Sequence, residues 1–187
     1  MNIVVVNGSI VGSNTKAVME QLVVKFERLE NAKVSFINLA DYELQFSDGR
    51  NYIDYEGDTK FVTETLMKAD GIVIGTPIFQ ASIPGSLKNL FDLLPVDAFR
   101  NKVLSIVVTA GSSKHYLVAE QQLKPILSYM KGQVVPSYVF IREVDILRQK
   151  IINDDVVFRL DRLVEDTITL IEVYQDIQKK KEDQYDF

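Results

Sequence analysis

Gly75-Thr-Pro-Ile-Phe-Gln-Ala-Ser-Ile-Pro84-Gly-Ser-Leu-Lys-Asn-Leu-Phe-Asp-Leu-Leu-Pro95 is the stretch whose reading decides the fold. Immediately before it, Gly71-Ile-Val-Ile74 is a short apolar run of the kind that forms a buried strand. At its far end Leu87, Leu90, Phe91 and Leu94 recur at helical spacing and define one apolar face. Pro84 suits the first turn of that helix, Ser82 is a candidate N-cap, and Pro95 forbids continuation. Strand and helix are thus joined by a neutral loop stiffened by Pro77 and Pro84. Open α/β sheets place their ligands on such loops, at the carboxyl ends of parallel strands.

Working outward, the same strand–loop–helix pattern recurs on both sides. Ile3-Val-Val-Val6 reads as a strand and leads into Asn7-Gly-Ser-Ile-Val-Gly-Ser-Asn-Thr15. A helix follows through Ala17, Val18, Leu22 and Phe26, ending near Glu30. Backbone amides at a helix start, with Ser and Thr hydroxyls beside them, make an anion site. The loop lacks the Gly-Lys-[Ser/Thr] of a Walker sequence, and its glycines are misplaced for a dinucleotide fingerprint. Lys33–Ile37 reads as the second strand. Residues 38–58, with Tyr42, Tyr52 and Tyr55, read as a surface excursion packed by its own tyrosines, or else as a lid. Thr59 is a candidate cap for a helix carrying Phe61, Val62, Leu66 and Met67 inward. Val103–Val108 is the fourth strand, followed by the small-residue loop Thr109-Ala-Gly-Ser-Ser113. Tyr116–Met130 reads as a helix bent or restarted at Pro125, and Val134–Ile141 as a last strand with a bulge or edge position at Pro136.

From Asn153 a long helix carries Val156, Leu160, Leu163, Val164, Ile171 and Tyr174 on one stripe, suited to core or to a subunit contact. The charged end, Lys179 to Phe187, is expected to fray. Five alternations of strand and helix predict an α/β doubly wound parallel sheet of five strands, order 2-1-3-4-5, in one domain over residues 1–187. In that order the carboxyl ends of strands one, three and four lie side by side.

Composition narrows the function. Net charge is −5 and there are no cysteines, so general nucleic-acid or acidic-membrane affinity, disulfides and thiolate chemistry are not expected. The N-terminus lacks the basic segment of a secretion signal, and no apolar run is of membrane length, which predicts a cytoplasmic protein. No cluster of His, Asp or Glu accompanies the three loops, so a metal site or hydrolytic triad is not expected, and a cofactor that performs its own chemistry fits better. His115, the only histidine, reads as structural or solvated.

The run from Gly75 to Pro95 resembles the second flavin loop of the NAD(P)H-dependent FMN reductases, a flavodoxin-like family, and the resemblance extends over roughly residues 2–141. It implies FMN as cofactor and NADPH or NADH as reductant. It implies that Ser9, Ser13, Asn14 and Thr15 hold the FMN phosphate. Pro77, Ile78, Phe79, Gln80, Ala81 and Ser82 would wall the isoalloxazine, and Thr109, Ala110, Gly111 and Ser112 would follow its pyrimidine edge. The family often carries an arginine in the first loop, where this chain has Val11. The run from His115 to Leu127 is similar to the reductases of two-component sulfonate monooxygenases, which implies a monooxygenase partner; Gln121 stands where those members insert a tyrosine. The family also implies a homodimer, built here on Leu87, Leu90, Phe91 and Leu94 of one helix and Leu117, Leu123 and Leu127 of the other, with Phe79 packing near the interface. A flavin-retaining reductase of quinones, azo dyes or nitro compounds is the alternative. A non-enzymatic flavodoxin-like electron carrier is a second, weakened because Gly8–Thr15 does not match the flavodoxin loop.

Overall fold

A computed structural model describes residues 1–185. Five positions of a parallel sheet run in the order 2-1-3-4-5: β1 (Asn2–Asn7), β2 (Lys33–Asn38), β3 (Gly71–Pro77) and β4 (Val103–Ala110), with the fifth position shared by two short strands, β5 (Gln133–Val134) and β6 (Val139–Arg142). Both short strands pair in parallel with β4, but the register slips by two residues between them. The slip falls at Val135–Tyr138, around Pro136, whose missing N–H cannot continue the ladder. The single strand read over Val134–Ile141 is therefore two strands around a bulge.

Period-2 alternation in the strands sorts side chains onto two faces. Val4, Val6, Ile72, Ile74, Leu104 and Ile106 point to one core, under α2 (Gly57–Met67), α3 (Gly85–Asp92) and α4 (Lys124–Tyr129). Ile3, Val5, Val73, Val103 and Val107 point to the other, under α1 (Asn14–Glu27) and α5 (Asp154–Tyr185). Leu87, Leu90 and Phe91 seat α3, each apolar side chain contributing about 1.5–3 kcal/mol when fully buried. The α5 stripe of Val156, Leu160, Leu163, Val164 and Ile171 is buried in the second core, so it packs within the chain. Helix α5 continues past Lys179 to Tyr185; Asp186 and Phe187, the end of the tail expected to fray, lie outside the described residues.

Several local expectations are corrected. The cap of α3 is Pro84, and the cap of α2 is Glu56. Thr59 is buried in the first turn of α2 and accepts a hydrogen bond from the Gln45 amide, so its hydroxyl braces the preceding loop. Phe61 faces outward and stacks on Tyr42. The excursion over residues 38–58 is pinned to α3: Ser47 donates from its amide to Asn89 Oδ1 at 3.0 Å, and Asn89 Nδ2 donates back to Gln45 O at 2.9 Å. Tyr55 is buried beneath it, with the Arg50 guanidinium over its ring.

Candidate functional site

The carboxyl ends of β1, β3 and β4 are stitched together by hydrogen bonds. Gly8 N–H donates to Gly75 O at 2.8 Å, tying the first loop to β3. A Cβ on Gly8 would stand 2.9 Å from that same carbonyl, so only glycine permits the approach. Ser86 Oγ donates to Gly8 O at 3.2 Å, which ties in the start of α3. Ile78 N–H donates to Thr109 O at 3.1 Å, joining the second loop to β4. The hydroxyls of Thr15 and Thr109 meet at 2.6 Å, both residues buried, joining the first loop to the third across 94 residues of sequence.

These three loops enclose a cavity of about 440 Å³. Ser13, Asn14 and Thr15 line one side, Pro77, Ile78 and Phe79 a second, and Thr109, Ala110 and Gly111 a third. Nine of the fourteen residues expected at the site are therefore brought together. Ser13 is the N-cap of α1, and its side chain makes no cap bond. Its carbonyl accepts from Ala17 N–H at 2.9 Å, the first intrahelical bond, so the amides of Asn14 and Thr15, both of which line the cavity, have no intrahelical acceptor. That end of α1 carries no acidic residue in its first turn, which leaves the positive end of the helix dipole uncompensated.

Five expected residues do not line the cavity. Ser9 is buried and donates its hydroxyl to Val11 O at 2.5 Å, shaping the first loop from within. Ser112 accepts from Lys114 N–H at 3.3 Å and so caps the turn Ser113–His115. Gln80, Ala81 and Ser82 form the rim of the second loop. Phe79 and Ser82 exchange both backbone hydrogen bonds at 2.9 Å, so the Ser82 amide is already used. Gln80 and Ala81 between them are left-handed, with φ of 48° and 58°. His115 is half-buried and lies outside the cavity.

Four lining residues were missed as ligand-facing: Val11, Gly12, Glu143 and Ile146. Glu143 is the only charged side chain in the lining, its carboxylate within 3.7 Å of where a Cβ on Gly111 would sit. It follows β6, so the rule that ligands gather at strand carboxyl ends, applied to the fifth position, was the signal available. Glu143 and Ile146 are held there by Asp145. Burial would raise the Asp145 carboxyl, but hydrogen bonds from Asn153 and from the Arg142 backbone and side chain outweigh it and hold it below the usual carboxylate range. Arg142 is thereby turned toward Asp145, and the hairpin β7 (Ile146–Leu147) and β8 (Lys150–Ile151) follows.

The cavity thus offers hydrogen-bond donors at one end, a stiff apolar wall, and one titratable side chain. Its volume falls in the range of about 300–1,000 Å³ found for pockets that take drug-sized ligands. The donor set suits a phosphate and the wall a flat ring, so a flavin mononucleotide fits the residues present.

Known proteins resemble this chain in sequence and in fold. The family described as NADPH-dependent FMN reductase matches residues 1–145. A relative from Geobacillus thermodenitrificans, named NAD(P)H-dependent FAD/FMN reductase, is 43% identical over 141 residues, 75% of this chain and 76% of its own. The NADH-dependent FMN reductase SfnF of Pseudomonas putida is 27% identical over 171 residues, 90% of this chain and 91% of its own. Among solved structures, a NADH:FMN oxidoreductase in its apo form superposes with a TM-score of 0.77 over 90% of this chain and 89% of its own at 24% identity, which speaks to the fold.

Proposed function

The chain belongs to the NADPH-dependent FMN reductase family, and from that premise we propose how its own residues carry the reaction. The observation that carries the reading is the convergence of three hydrogen-bonded loops on one cavity, with free amide donors at one end and an apolar wall at the other. The Asn14 and Thr15 amides and the hydroxyls of Ser13 and Thr15, which line the cavity at the first turn of α1, would hold the phosphate. Pro77, Ile78 and Phe79 shield one face of the ring, and Thr109–Gly111 supply backbone groups along its polar edge. FMN held there would supply the hydride chemistry, relaying an electron pair from NAD(P)H to a second substrate. The protein's part is to orient the ring and exclude water from one face. Two prolines in the second loop limit its freedom before binding, so less entropy is lost on docking.

The reading extends to partners. A monooxygenase is the consumer of reduced flavin, supported by the likeness of the His115–Leu127 run to two-component sulfonate systems. Action in the cytoplasm goes with the nicotinamide reductant; among the described residues no helix is long and apolar enough to cross a membrane. The chain forms a homodimer through the groove between α3 and α4, about 510 Å³ in volume, where Phe91, Leu94 and Ile126 meet the exposed Val96 and Tyr129. Leu87, Leu90, Leu123 and Leu127, expected at that interface, are buried in the chain's own core, while Leu117 is exposed.

Anaerobic stopped-flow titration with NADPH and with NADH, each with and without added FMN, tests the activity. Nicotinamide oxidation that requires FMN is expected, and its absence under all four conditions would refute the proposal. Colour that follows the protein through gel filtration marks a retained flavin, and colour left behind marks flavin as a substrate. Sedimentation at micromolar concentration should give a dimer.

A further inference from the structure

The rim of the second loop is held in a conformation its sequence does not favour. Gln80 and Ala81 both occupy the left-handed region, at φ of 48° and 58°, inside a two-residue turn closed by Phe79 and Ser82. Positive φ at both central residues is the signature of a type I′ turn, which ordinarily selects Asn-Gly. Residues with a Cβ cost on the order of 1 kcal/mol or more each there, and persist only where the surroundings over-determine them.

The surroundings here come down to one side chain. Gln122 Oε1 accepts a hydrogen bond from Ser82 Oγ, and Gln122 Nε2 donates to Ala81 O at 3.2 Å. Both ends of the amide therefore grip the turn, one on each side of the Ala81–Ser82 peptide. Gln122 leaves the chain from a π-turn, Ala119–Leu123, that runs directly into α4, where Pro125 stands in the first turn. Such wide turns are rare and concentrate at functional sites. In this one, Leu123 is buried, Gln121 is exposed, and Gln122 is half-buried against the second loop. What the turn fixes is Phe79, whose N–H and C=O are both committed to Ser82 and whose side chain lines the cavity.

We propose that Gln122 is a positioning residue: it latches the strained Gln80–Ala81 turn and thereby holds Phe79 where it can wall the flavin. The proposal rests on the flavin reading of the cavity, and its test separates the two. Gln122→Met keeps the length of the side chain and its helix propensity but removes both hydrogen bonds. In the flavin-free protein, amide exchange at Phe79 and Ser82 is expected to speed up by roughly tenfold or more, with the melting profile of the sheet retained. FMN affinity should fall by about the same factor. Adding Gln80→Asn and Ala81→Gly, which favour the turn without a latch, should restore both quantities. Ser82→Ala, which removes one of the two bonds, should give an intermediate value.

Unchanged exchange in Gln122→Met overturns the latch. Faster exchange with undiminished FMN affinity also overturns it, because the turn would then not position anything that meets the ligand. Failure of the Asn-Gly turn to restore affinity does so as well, since the loss would come from elsewhere in the helix. Wild-type protein that binds no FMN would instead refute the flavin reading, while the flavin-free exchange rates still judge whether Gln122 holds the turn.

Discussion

Thr15→Val removes one hydroxyl while keeping volume and β-branching, at the point where the first and third loops meet. Thr15 Oγ1 and Thr109 Oγ1 are 2.6 Å apart and both residues are buried, so one O–H lies between them and the other is left for a ligand acceptor. In the ligand-free protein the substitution deletes a neutral hydrogen bond of about 1 kcal/mol. That should lower Tm by roughly 2–4 °C in a chain of this size. Against a bound phosphate the loss is larger, because the acceptor is charged: about 1.5–3 kcal/mol. FMN Kd should therefore rise by about tenfold to a hundredfold. Flavin fluorescence titration measures it, with riboflavin as the internal control. Riboflavin lacks the phosphate, so its affinity should change by no more than about twofold if Thr15 serves that group. A parallel loss of riboflavin and FMN would show that the hydroxyl pair merely shapes the cavity. Undiminished FMN affinity in a folded variant would remove Thr15 from the site.

Three further outcomes are expected. Glu143→Gln takes the only charged side chain out of the cavity lining, and FMN affinity should rise by roughly two- to fivefold at low salt, an effect that 0.5 M salt should erase; a fall in affinity would mean that the carboxylate accepts a hydrogen bond from the ligand. His115→Ala should leave the hydride-transfer rate within about twofold of wild type, since the side chain stands outside the cavity and a flavin takes hydride without a general acid; a hundredfold drop at unchanged flavin affinity would contradict this. Asp145 has a lowered folded-state pKa, so its contribution to stability is present above the unfolded carboxylate value near 4 and is lost as pH falls through the folded value. The Tm gap between wild type and Asp145→Asn should be widest near neutrality and shrink below pH 4, and a gap independent of pH would count against the ion pair and hydrogen bonds described.

Much of the fold lay in local pattern. The β-branched runs at Ile3–Val6 and Ile72–Ile74 and the apolar run Val103–Val108 read as buried strands, and the stripe of Leu87, Leu90 and Phe91 reads as one packed helix face. Parallel order then puts three loops at one edge, which is why Ser13–Thr15, Pro77–Phe79 and Thr109–Gly111 were legible as one site. These are properties of side-chain period and chain connectivity, and they do not depend on knowing any contact in advance.

What the tertiary structure decided is where each polar group spends its hydrogen bonds. Ser9 and Ser112 have the same composition signal as Ser13, yet they satisfy their own loops and leave the cavity to others. Glu143 and Ile146 enter the site only because a two-residue slip around Pro136 and the Asp145 clasp aim the segment after β6 at it. The turn at Gln80–Ala81 has neither Gly nor Asn to announce it, since its conformation is imposed from Gln122, 41 residues away. The long stripe on α5 could equally have met a second subunit; burial against β4 and β6 makes it core. Hydroxyls and carboxylates carry no period, and a hydrogen bond between distant segments exists only once the chain has brought them within about 3 Å, so these assignments belong to the folded state alone.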